Sequence, residues 1–438
     1  MAEIGGERGT IFALATPPGV AGVAVIRVSG PAARDALGAL VGERLPEPGR
    51  LVRRRLRGAT GEVLDEAMVV RFAAPRSYTG DDVVELHCHG SRAVVSAVLA
   101  ELASMTGLSV AEPGAFTRRA FENGKLDLTE VEALGDLLAA ETEAQRRFAI
   151  SGVSGSLRRR AETWRREGLD ALALVEATID WADEEIPQDV SPEVDRILSG
   201  LREDMQDALR GSGAAERLRH GFEIALVGAP NAGKSSLFNA LVGRDAAITS
   251  SMEGTTRDVI SADLVVEGIP VTLLDMAGLR SGGDEIERIG VERAQARARA
   301  ADIRVFLEAP DATLPSEVME LWQEADLRVA TKDDLGAEGA GEGLRVSSLT
   351  GAGLRELVDA LAAILSARTA GAGVIGHARQ REAVERAVAR LRAARRKGAA
   401  ELMAEELRGM LHAVGELTGQ FGAEEVLDRV FGRFCVGK

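Results

Sequence analysis

Apolar residues change their spacing several times along this chain of 438 residues. In the first 125 residues, short runs such as 23–28 and 82–86 alternate apolar and polar positions between glycine and proline turns, which is typical of half-buried strands. At 126–181 and 194–218, apolar residues recur every three or four positions, which predicts long helices. The chain is therefore expected to begin as an α+β domain and to continue as a helical block.

Strand-like apolar runs return in the middle of the chain, at 222–227, 271–274, 327–330 and 344–346. A glycine-rich stretch at 370–376 then leads into a second helical block at 379–430. Neither helical block alone looks able to bury its apolar face. We therefore expect one helical domain that a central α/β segment interrupts.

The loop after the run at 222–227 reads Gly-Ala-Pro-Asn-Ala-Gly-Lys-Ser and opens onto a helical pattern. This spacing predicts a phosphate-binding loop. Its glycines let backbone N–H groups surround phosphate, Lys234 can reach the β- and γ-phosphates, and the Ser235 hydroxyl can bind Mg²⁺. The loop residues predicted to contact the nucleotide are Asn231, Ala232, Gly233, Lys234, Ser235 and Ser236.

The other parts of a GTPase follow in order. Thr256 offers a second hydroxyl to Mg²⁺, and Asp275 and Gly278, in Asp-Met-Ala-Gly, are expected to meet the γ-phosphate. Asp334, in Thr-Lys-Asp-Asp, can accept two hydrogen bonds from guanine that adenine cannot donate. The order predicts a Ras-like P-loop GTPase using GTP and Mg²⁺. Its further predicted nucleotide contacts are Ser250, Thr255, Thr331, Lys332, Ser347, Ser348 and Leu349.

Charge and composition limit the partners of the chain. The formal net charge is −15, so the chain as a whole does not attract nucleic acid, and any RNA contact must come from local basic clusters. Such clusters lie at 53–57, 158–160 and 392–397, although each taken singly is more typical of a solvated face. With two cysteines and no apolar run long enough for a bilayer, we expect a soluble, cytoplasmic protein without membrane contact.

Several strings outside the GTPase segment are characteristic of one family. They include Ala-Thr-Pro-Pro-Gly at 15–19, Pro-Arg-Ser-Tyr-Thr-Gly at 75–80, Asn-Gly-Lys-Leu-Asp-Leu at 123–128 and Cys-Val-Gly-Lys at 435–438, together with the segments 26–30 and 112–121. With these strings the chain resembles the MnmE (TrmE) family of tRNA-modifying GTPases almost end to end.

The resemblance implies three domains. These are an α+β folate-binding and dimerisation domain at 1–125, an all-α helical domain in two segments at 126–218 and 371–438, and the inserted GTPase at 219–370. It also implies a homodimer that joins an FAD- and NADH-using partner, MnmG, in a heterotetramer. Together they would add an aminomethyl or carboxymethylaminomethyl group to C5 of the wobble uridine of certain tRNAs.

The resemblance also implies a one-carbon donor, a methylene- or formyl-tetrahydrofolate. Matched residue by residue, its positions fall on Arg27, Glu85, Lys125 and Lys438. A carboxylate such as Glu85 can accept hydrogen bonds from a pterin edge, while the three cations suit carbonyl and glutamate oxygens.

Leu279 stands where Ras-like enzymes carry a glutamine that orients the attacking water. In the family that the chain resembles, K⁺ takes the place of the arginine that neutralises transition-state charge, and its site forms when two GTPase domains meet. The catalytic acid of the family falls on Glu287, which without the resemblance is typical of a solvated acid at a helix start. The matching K⁺ positions are Asn231, Ser250, Met252 and Thr255.

The chain departs from the family pattern at three places. Met276 replaces the usual threonine, which we expect to be tolerated, and the loop 250–253 is atypical for K⁺ binding. Thr331 replaces an asparagine whose amide commonly braces the phosphate loop. Specificity through Asp334 should survive, with weaker nucleotide affinity.

Two cysteine-containing strings carry open alternatives. His87-Cys88-His89 suggests a metal site, but neighbouring strand residues point to opposite faces, which favours a structural or folate-side role. Cys435 is either a nucleophile in one-carbon chemistry or a small packed hydrophobe.

Two other functions remain to be weighed. One is a ribosome-assembly GTPase whose flanks hold rRNA; the acidic balance and the scarcity of aromatic residues count against it. The other is a folate-dependent one-carbon transferase that a GTPase regulates and that needs no partner.

Overall fold

The computed structural model describes residues 9–42, 44–180, 191–243, 260–276, 296–310, 312, 314, 316–336, 343–396, 399–421, 427, 431, 434 and 437. The chain divides into two compact units. Met1–Gly135, Gly152–Val190 and Ala393–Lys438 form the first unit, and Asp136–Ser151 with Ser191–Arg392 form the second.

A six-stranded sheet organises the first unit, in the order β3-β4-β5-β2-β1-β6. Only β6 pairs in parallel, with β1, and the other pairs are antiparallel. One face packs against helices α1 and α2 around Ile26, Val28 and Leu86, which are at most 1% exposed. The strands are β1 (Thr10–Leu14), β2 (Ala21–Ser29), β3 (Val52–Arg57), β4 (Val63–Phe72), β5 (Val83–Gly90) and β6 (Leu108–Val110), and the helices are α1 (Ala33–Val41) and α2 (Arg92–Ser104).

The predicted alternation at 23–28 and 82–86 is confirmed, because both runs lie in central strands with one face buried. On that face, folding removes leucine and valine side chains from water, and this burial supplies most of the stabilisation of such a sheet. The opposite face carries the polar positions of the same strands.

Four further helices lie wholly or mainly in the first unit: α3 (Ala115–Glu122), α4 (Leu128–Ala139), α6 (Ser156–Asp180) and α13 (Ala400–Thr418). The boundary between the units falls within α4, after Gly135. Asp127 and Glu130 begin α4 as a capping box, each side chain accepting from the backbone N–H of the other residue. Helices α6 and α13 approach closely at Gly168, where an added Cβ would lie 2.4 Å from the Met410 Cε. Both predicted helical blocks thus contribute to one packed layer.

A mixed α/β sheet organises the second unit, in the order β12-β11-β10-β7-β9-β8. All pairs are parallel except β8 with β9. The strands are β7 (Phe222–Gly228), β8 (Ile260–Val266), β9 (Ile269–Asp275), β10 (Ile303–Glu308), β11 (Leu327–Ala330) and β12 (Leu344–Arg345). The helices are α5 (Glu143–Val153), α7 (Ser191–Arg210), α8 (Ser212–His220), α9 (Lys234–Val242), α10 (Ser316–Met319), α11 (Leu354–Thr369) and α12 (Ala378–Arg396).

The predicted fold class is confirmed: an α+β domain, helices and an α/β P-loop segment occur in one chain. The helical runs break more often than predicted. The run at 126–181 divides into α4, α5 and α6, with Gly155 in a left-handed conformation (φ 74°) just before α6. Within the described residues, no helix is long and apolar enough to traverse a bilayer.

The chain enters and leaves the α/β segment at neighbouring places. Gly373 N–H donates to the Gly211 carbonyl at 3.0 Å, and an added Cβ on Gly211 would lie 2.4 Å from Gly373 N, so only glycine fits there. The Asp136 carboxylate makes a further contact with both connections. Arg219 Nε, just before β7, donates to Asp136 Oδ1 at 2.6 Å, and His377 Nε2, just before α12, lies 2.8 Å from Asp136 Oδ2. These contacts hold the α/β segment at both of its connections.

A buried ion pair ties β10 to the start of β11. Arg304 Nε donates to Asp326 Oδ2 at 2.8 Å, with side chains 1% and 0% exposed. The Arg304 guanidinium also donates to the carbonyls of Ala298 and Ala301. Such a pair adds little to stability compared with well-packed apolar residues in its place. Removing one partner is costly, however, because it leaves an unpaired charge in the interior.

We expect Asp326→Ala to destabilise the sheet of the second unit by about 3–5 kcal/mol, because the Arg304 charge would remain buried without its partner. Hydrogen exchange of β10 peptides, followed by mass spectrometry, measures this loss. Asp359→Ala removes the acid of the exposed Arg355–Asp359 pair and should cost less than about 1 kcal/mol. Equal effects of the two changes would show that the buried pair has no special role.

Candidate functional site

The phosphate-binding loop lies between β7 and α9. Asn231 (φ 61°) and Gly233 (φ 86°) both adopt left-handed conformations, and α9 begins at Lys234. The Ser235 and Ser236 side chains are exposed at this helix start, where N–H groups and the helix dipole favour an anion. The structure thus brings the predicted loop residues to one helix N-terminus.

Lys234 folds back over this loop. Its Nζ donates to the carbonyls of Gly228 at 2.9 Å and Ala229 at 2.8 Å, and the residue is 8% exposed. Burial lowers the pKa of Lys234, and the Asp275 carboxylate acts in the opposite direction. The Lys234 ammonium, which donates to carbonyls of its own loop, can donate to phosphate oxygens instead when a nucleotide binds.

Asp275 ends β9 directly beside the phosphate loop. It pairs in register with Leu226 of β7 and is 2% exposed, so an acid stands beside the site predicted for Mg²⁺ and γ-phosphate. Met276 packs against the buried cluster that contains Ala225 and Val227; that this change is tolerated stays a prediction. Several predicted contacts lie outside the described residues: Ser250, Met252, Thr255, Thr256, Gly278 and Glu287.

The two predicted guanine loops meet through a hydrogen bond. Ser347 Oγ, fully buried, donates to Asp334 Oδ1 at 2.6 Å, and Asp334 itself is exposed. The carboxylate expected to read guanine is therefore held in place by the neighbouring loop. Lys332 has φ 59°, Ser348 is half-buried, and Leu349 is 84% exposed at the same loop.

Thr331 keeps the link to the phosphate loop that its asparagine counterpart would make. Its Oγ1 lies 2.8 Å from the Ala232 carbonyl and 3.2 Å from the Glu308 carbonyl, and the residue is 4% exposed. The amide is missing, but a hydroxyl still connects the end of β11 to the loop. The weaker nucleotide affinity expected from the missing amide stays a prediction.

Two residues predicted for folate form an ion pair on the face of the first sheet that lies opposite α1 and α2. Arg27 donates to Glu85 Oε1 through Nε at 3.0 Å and Nη2 at 2.8 Å, because Arg27 and Glu85 are direct cross-strand partners. The Arg27 guanidinium lies 5.4 Å from the Tyr78 ring and 5.7 Å from the Phe116 ring. The pair is partly buried, at 17% and 18% exposure.

The C-terminal tail reaches the same place. Arg27 Nη1 donates to the Gly437 carbonyl at 3.3 Å. Gly437 has φ 101°, and a Cβ there would lie 2.4 Å from the Leu14 carbonyl oxygen, so the tail needs glycine to lie against β1. Cys435 and Lys438 lie outside the described residues.

Lys125 lies beside Gly80. Its side chain is exposed and runs past Gly80, whose added Cβ would lie 3.4 Å from the Lys125 Cγ. Tyr78 and Phe116 were not predicted as site residues. The signal was present, since both belong to the family-like strings at 75–80 and 112–121 and Tyr78 is the single tyrosine of the chain.

The His87-Cys88-His89 string divides between the two sheet faces. Cys88 is 1% exposed in the core, and burial, with the Asp65 charge, raises the pKa of its thiol to about 12. His87 Nε2 lies 3.3 Å from Glu85 Oε2, and His89 Nδ1 lies 2.7 Å from Asp65 Oδ1. Across the described part of the chain, no cluster of three histidine, cysteine or acidic side chains could hold a metal ion.

We expect Thr331→Val to weaken GTP binding about five- to tenfold, because valine has the same shape but cannot donate to the Ala232 carbonyl. Titration with a fluorescent GTP analogue measures the change. Thr369→Val is the matched control, since the Thr369 hydroxyl donates to the Leu365 carbonyl within α11. Unchanged affinity in Thr331→Val would mean that the loop holds its shape without this link.

Family models match almost the whole chain. Residues 128–435 match the MnmE helical domain family, and residues 10–125 match the family described as GTP-binding protein TrmE N-terminus. Among solved structures, Aquifex aeolicus Era bound to GDP·AlF₄⁻ is 25% identical, covers 33% of this chain and 56% of its own, and has a TM-score of 0.26. The G domain of the Thermotoga maritima FeoB iron transporter is 23% identical, with 33% and 98% covered and a TM-score of 0.26.

Similarity to curated proteins is much higher. The tRNA modification GTPase MnmE of Dinoroseobacter shibae is 48% identical over 433 residues, covering 98% of this chain and 100% of the relative. The protein of the same description from Cereibacter sphaeroides (strain ATCC 17025) is 50% identical over 435 residues, with 98% and 100% covered. The chain belongs to the MnmE family of tRNA modification GTPases.

Proposed function

We propose that this chain, with an FAD-dependent partner of the MnmG type, adds an aminomethyl or carboxymethylaminomethyl group to C5 of the wobble uridine of certain tRNAs. A methylene- or formyl-tetrahydrofolate supplies the carbon. The observation that carries the proposal is the partly buried Arg27–Glu85 pair, with aromatic rings beside it and the C-terminal tail against it.

The chemistry of this pair suits a folate. The Glu85 carboxylate accepts hydrogen bonds from the pterin amino edge, while Arg27, Lys125 and Lys438 meet carbonyl and glutamate oxygens. Tyr78 and Phe116 provide the apolar surface on which a flat ring packs. When folate binds, the Gly437 carbonyl still accepts from Arg27 Nη1, so Arg27 contacts both the tail and the ligand.

GTP hydrolysis occurs in the second unit. Lys234 holds the β- and γ-phosphates, Ser235 and Thr256 bind Mg²⁺, and Asp334 reads guanine. Asn231 and the loop that follows α9 would hold a K⁺ ion, which would supply positive charge to offset the negative charge that develops on hydrolysis, and Glu287 would orient the attacking water. The K⁺ ligands are Asn231, Ser250, Met252 and Thr255.

Two homodimer contacts follow from this scheme. The N-terminal domains pair through one contact, and the GTPase domains meet face to face through the other to complete the K⁺ site. The MnmG-type partner then converts the dimer into a heterotetramer. GTP turnover is thereby coupled to the state of the modification complex.

Hydrolysis should be faster in K⁺ than in Na⁺ at matched ionic strength, by about tenfold, because Leu279 cannot hydrogen-bond water and Na⁺ is too small for the same ligands. Asn231→Gly should abolish the difference. Glycine removes the amide ligand yet keeps the left-handed backbone at φ 61°, so the loop stays in shape. Equal rates of the wild-type chain in both salts would remove K⁺ from the mechanism.

Deleting residues 435–438 should abolish uridine modification and weaken binding of 5-formyltetrahydrofolate, while GTP hydrolysis persists. The reason is that the tail meets Arg27 in the first unit, whereas Lys234, Asp275 and Asp334 lie in the second unit. Mass spectrometry of tRNA digests and GTPase rates measure the two activities.

A point variant separates chemistry from packing. Lys438→Ala leaves Gly437 in place against β1 and removes only the proposed folate contact. It should weaken folate binding as the deletion does. If modification continues at the wild-type rate in both variants, the tail is a packing element and the folate role of Lys438 is wrong.

A further inference from the structure

The sheet face that carries the Arg27–Glu85 pair extends to β4 and β3. His87 of β5 is the cross-strand partner of Val25 in β2 and of Met68 in β4, and Met68 is the partner of Arg53 in β3. Side chains of directly paired residues lie on one face. Arg53 therefore lies on the same face as His87. Glu85, two positions before His87 in β5, lies on that face as well.

Two arginines dominate the far end of this face. Arg53 is 71% exposed and Arg55 is 63% exposed, and both pair with one acid, Glu66 of the adjacent strand. We call Arg53 and Arg55 the arginine pair. Hydrogen bonds from Arg55 and Arg53 lower the pKa of Glu66, so this acid stays ionised between them.

The ion pairs with Glu66 leave the arginine pair able to bind phosphate. Exposed salt bridges add little stability, whereas a guanidinium that binds an RNA phosphate forms bidentate hydrogen bonds and releases counterions. The local charge is also unusual, since residues 50–57 contain five arginines and no acid in a chain of net charge −15. Long-range attraction to the whole chain is absent, so a phosphate contact must be local.

The spacing connects this charge to the proposed reaction. Three strand steps separate β2 from β3 in the order β3-β4-β5-β2, and adjacent strands are about 4.8 Å apart. Arg53 and Arg55 also lie two and four positions along the strands from the row of Arg27, so the arginine pair lies roughly 16–20 Å from Arg27 on the same face. A short run of nucleotides spans that distance.

We propose that the arginine pair binds phosphates of the substrate tRNA and so positions the target uridine at the Arg27–Glu85 site. This inference rests on the proposed function and adds to it the surface of this chain that meets RNA. Glu66 acts as a built-in competitor of the phosphates. The tRNA must displace Glu66 to bind, which keeps affinity moderate and lets the product leave.

The test measures tRNA binding to the full-length chain by filter binding across a salt series. Arg53→Gln with Arg55→Gln should weaken binding roughly tenfold near physiological salt and reduce the slope of log K against log salt by about 1.5, as expected for two lost phosphate contacts. Glu66→Gln should strengthen binding roughly threefold, a result that a merely structural ion pair would not give. GTP hydrolysis should not change in either variant.

The chain offers a matched control on α5. Arg146 and Arg147 also share one exposed acid, Glu143, and their hydrogen bonds lower its pKa to about 2. Arg146→Gln with Arg147→Gln removes the same charge from the same kind of cluster in the second unit. Binding of tRNA should stay at the wild-type level in this variant.

Each other outcome overturns the inference. Equal losses in the two double variants would mean that only total charge matters. Wild-type tRNA affinity after Arg53→Gln with Arg55→Gln, or no tRNA binding by the wild-type chain, would place the RNA contact on the partner and leave the proposed function intact. A shift from dimer to monomer in analytical ultracentrifugation would instead assign this face to a second copy of the chain.

Discussion

The nucleotide site depends on one constraint, the left-handed turn of the phosphate loop at Asn231 and Gly233. This turn directs backbone N–H groups and the start of α9 to one point, and Lys234 closes over it through two loop carbonyls. The Thr331 hydroxyl then connects the loop to the end of β11. Because the carboxyl ends of parallel strands meet at one edge, Asp275 and the guanine loops arrive beside the same turn.

The second site depends on strand register. Pairing of Arg27 with Glu85 places both on the face opposite α1 and α2 while Ile26 and Leu86 enter the core. A slip by one residue would exchange these sets and bury the charges. The same register aligns His87, Met68 and Arg53, so the hydrophobic core of the sheet also determines which polar residues share the outer surface.

Short-range chemistry could be predicted from the sequence, and long-range contacts could not. The phosphate loop, Asp275 and the Thr-Lys-Asp-Asp loop follow from spacing alone, and alternation in β2 and β5 predicted the buried face. Thr331 was expected to weaken nucleotide affinity because it lacks the side-chain amide of the usual asparagine. The contact of its hydroxyl with the Ala232 carbonyl depends on where β11 ends, which the sequence does not specify. The Ser347–Asp334 bond and the contact of Gly437 with Arg27 join residues far apart in sequence, which no local pattern encodes.

Grouping of the helices had a similar limit. Periodicity predicted helices before and after the α/β segment, but the contacts of Asp136 with Arg219 and His377 arise only when distant turns meet. The family match supports tRNA modification over ribosome assembly. A folate transferase that needs no partner remains distinguishable by adding and omitting the FAD-dependent protein in the modification assay.

The central claim is that this chain is required to modify C5 of the wobble uridine. Its most direct test is mass spectrometry of wobble uridines from a strain that lacks the chain. We expect the C5 aminomethyl and carboxymethylaminomethyl products to disappear in that strain and to return when the wild-type chain is restored. Unchanged amounts of these products without the chain would contradict the claim.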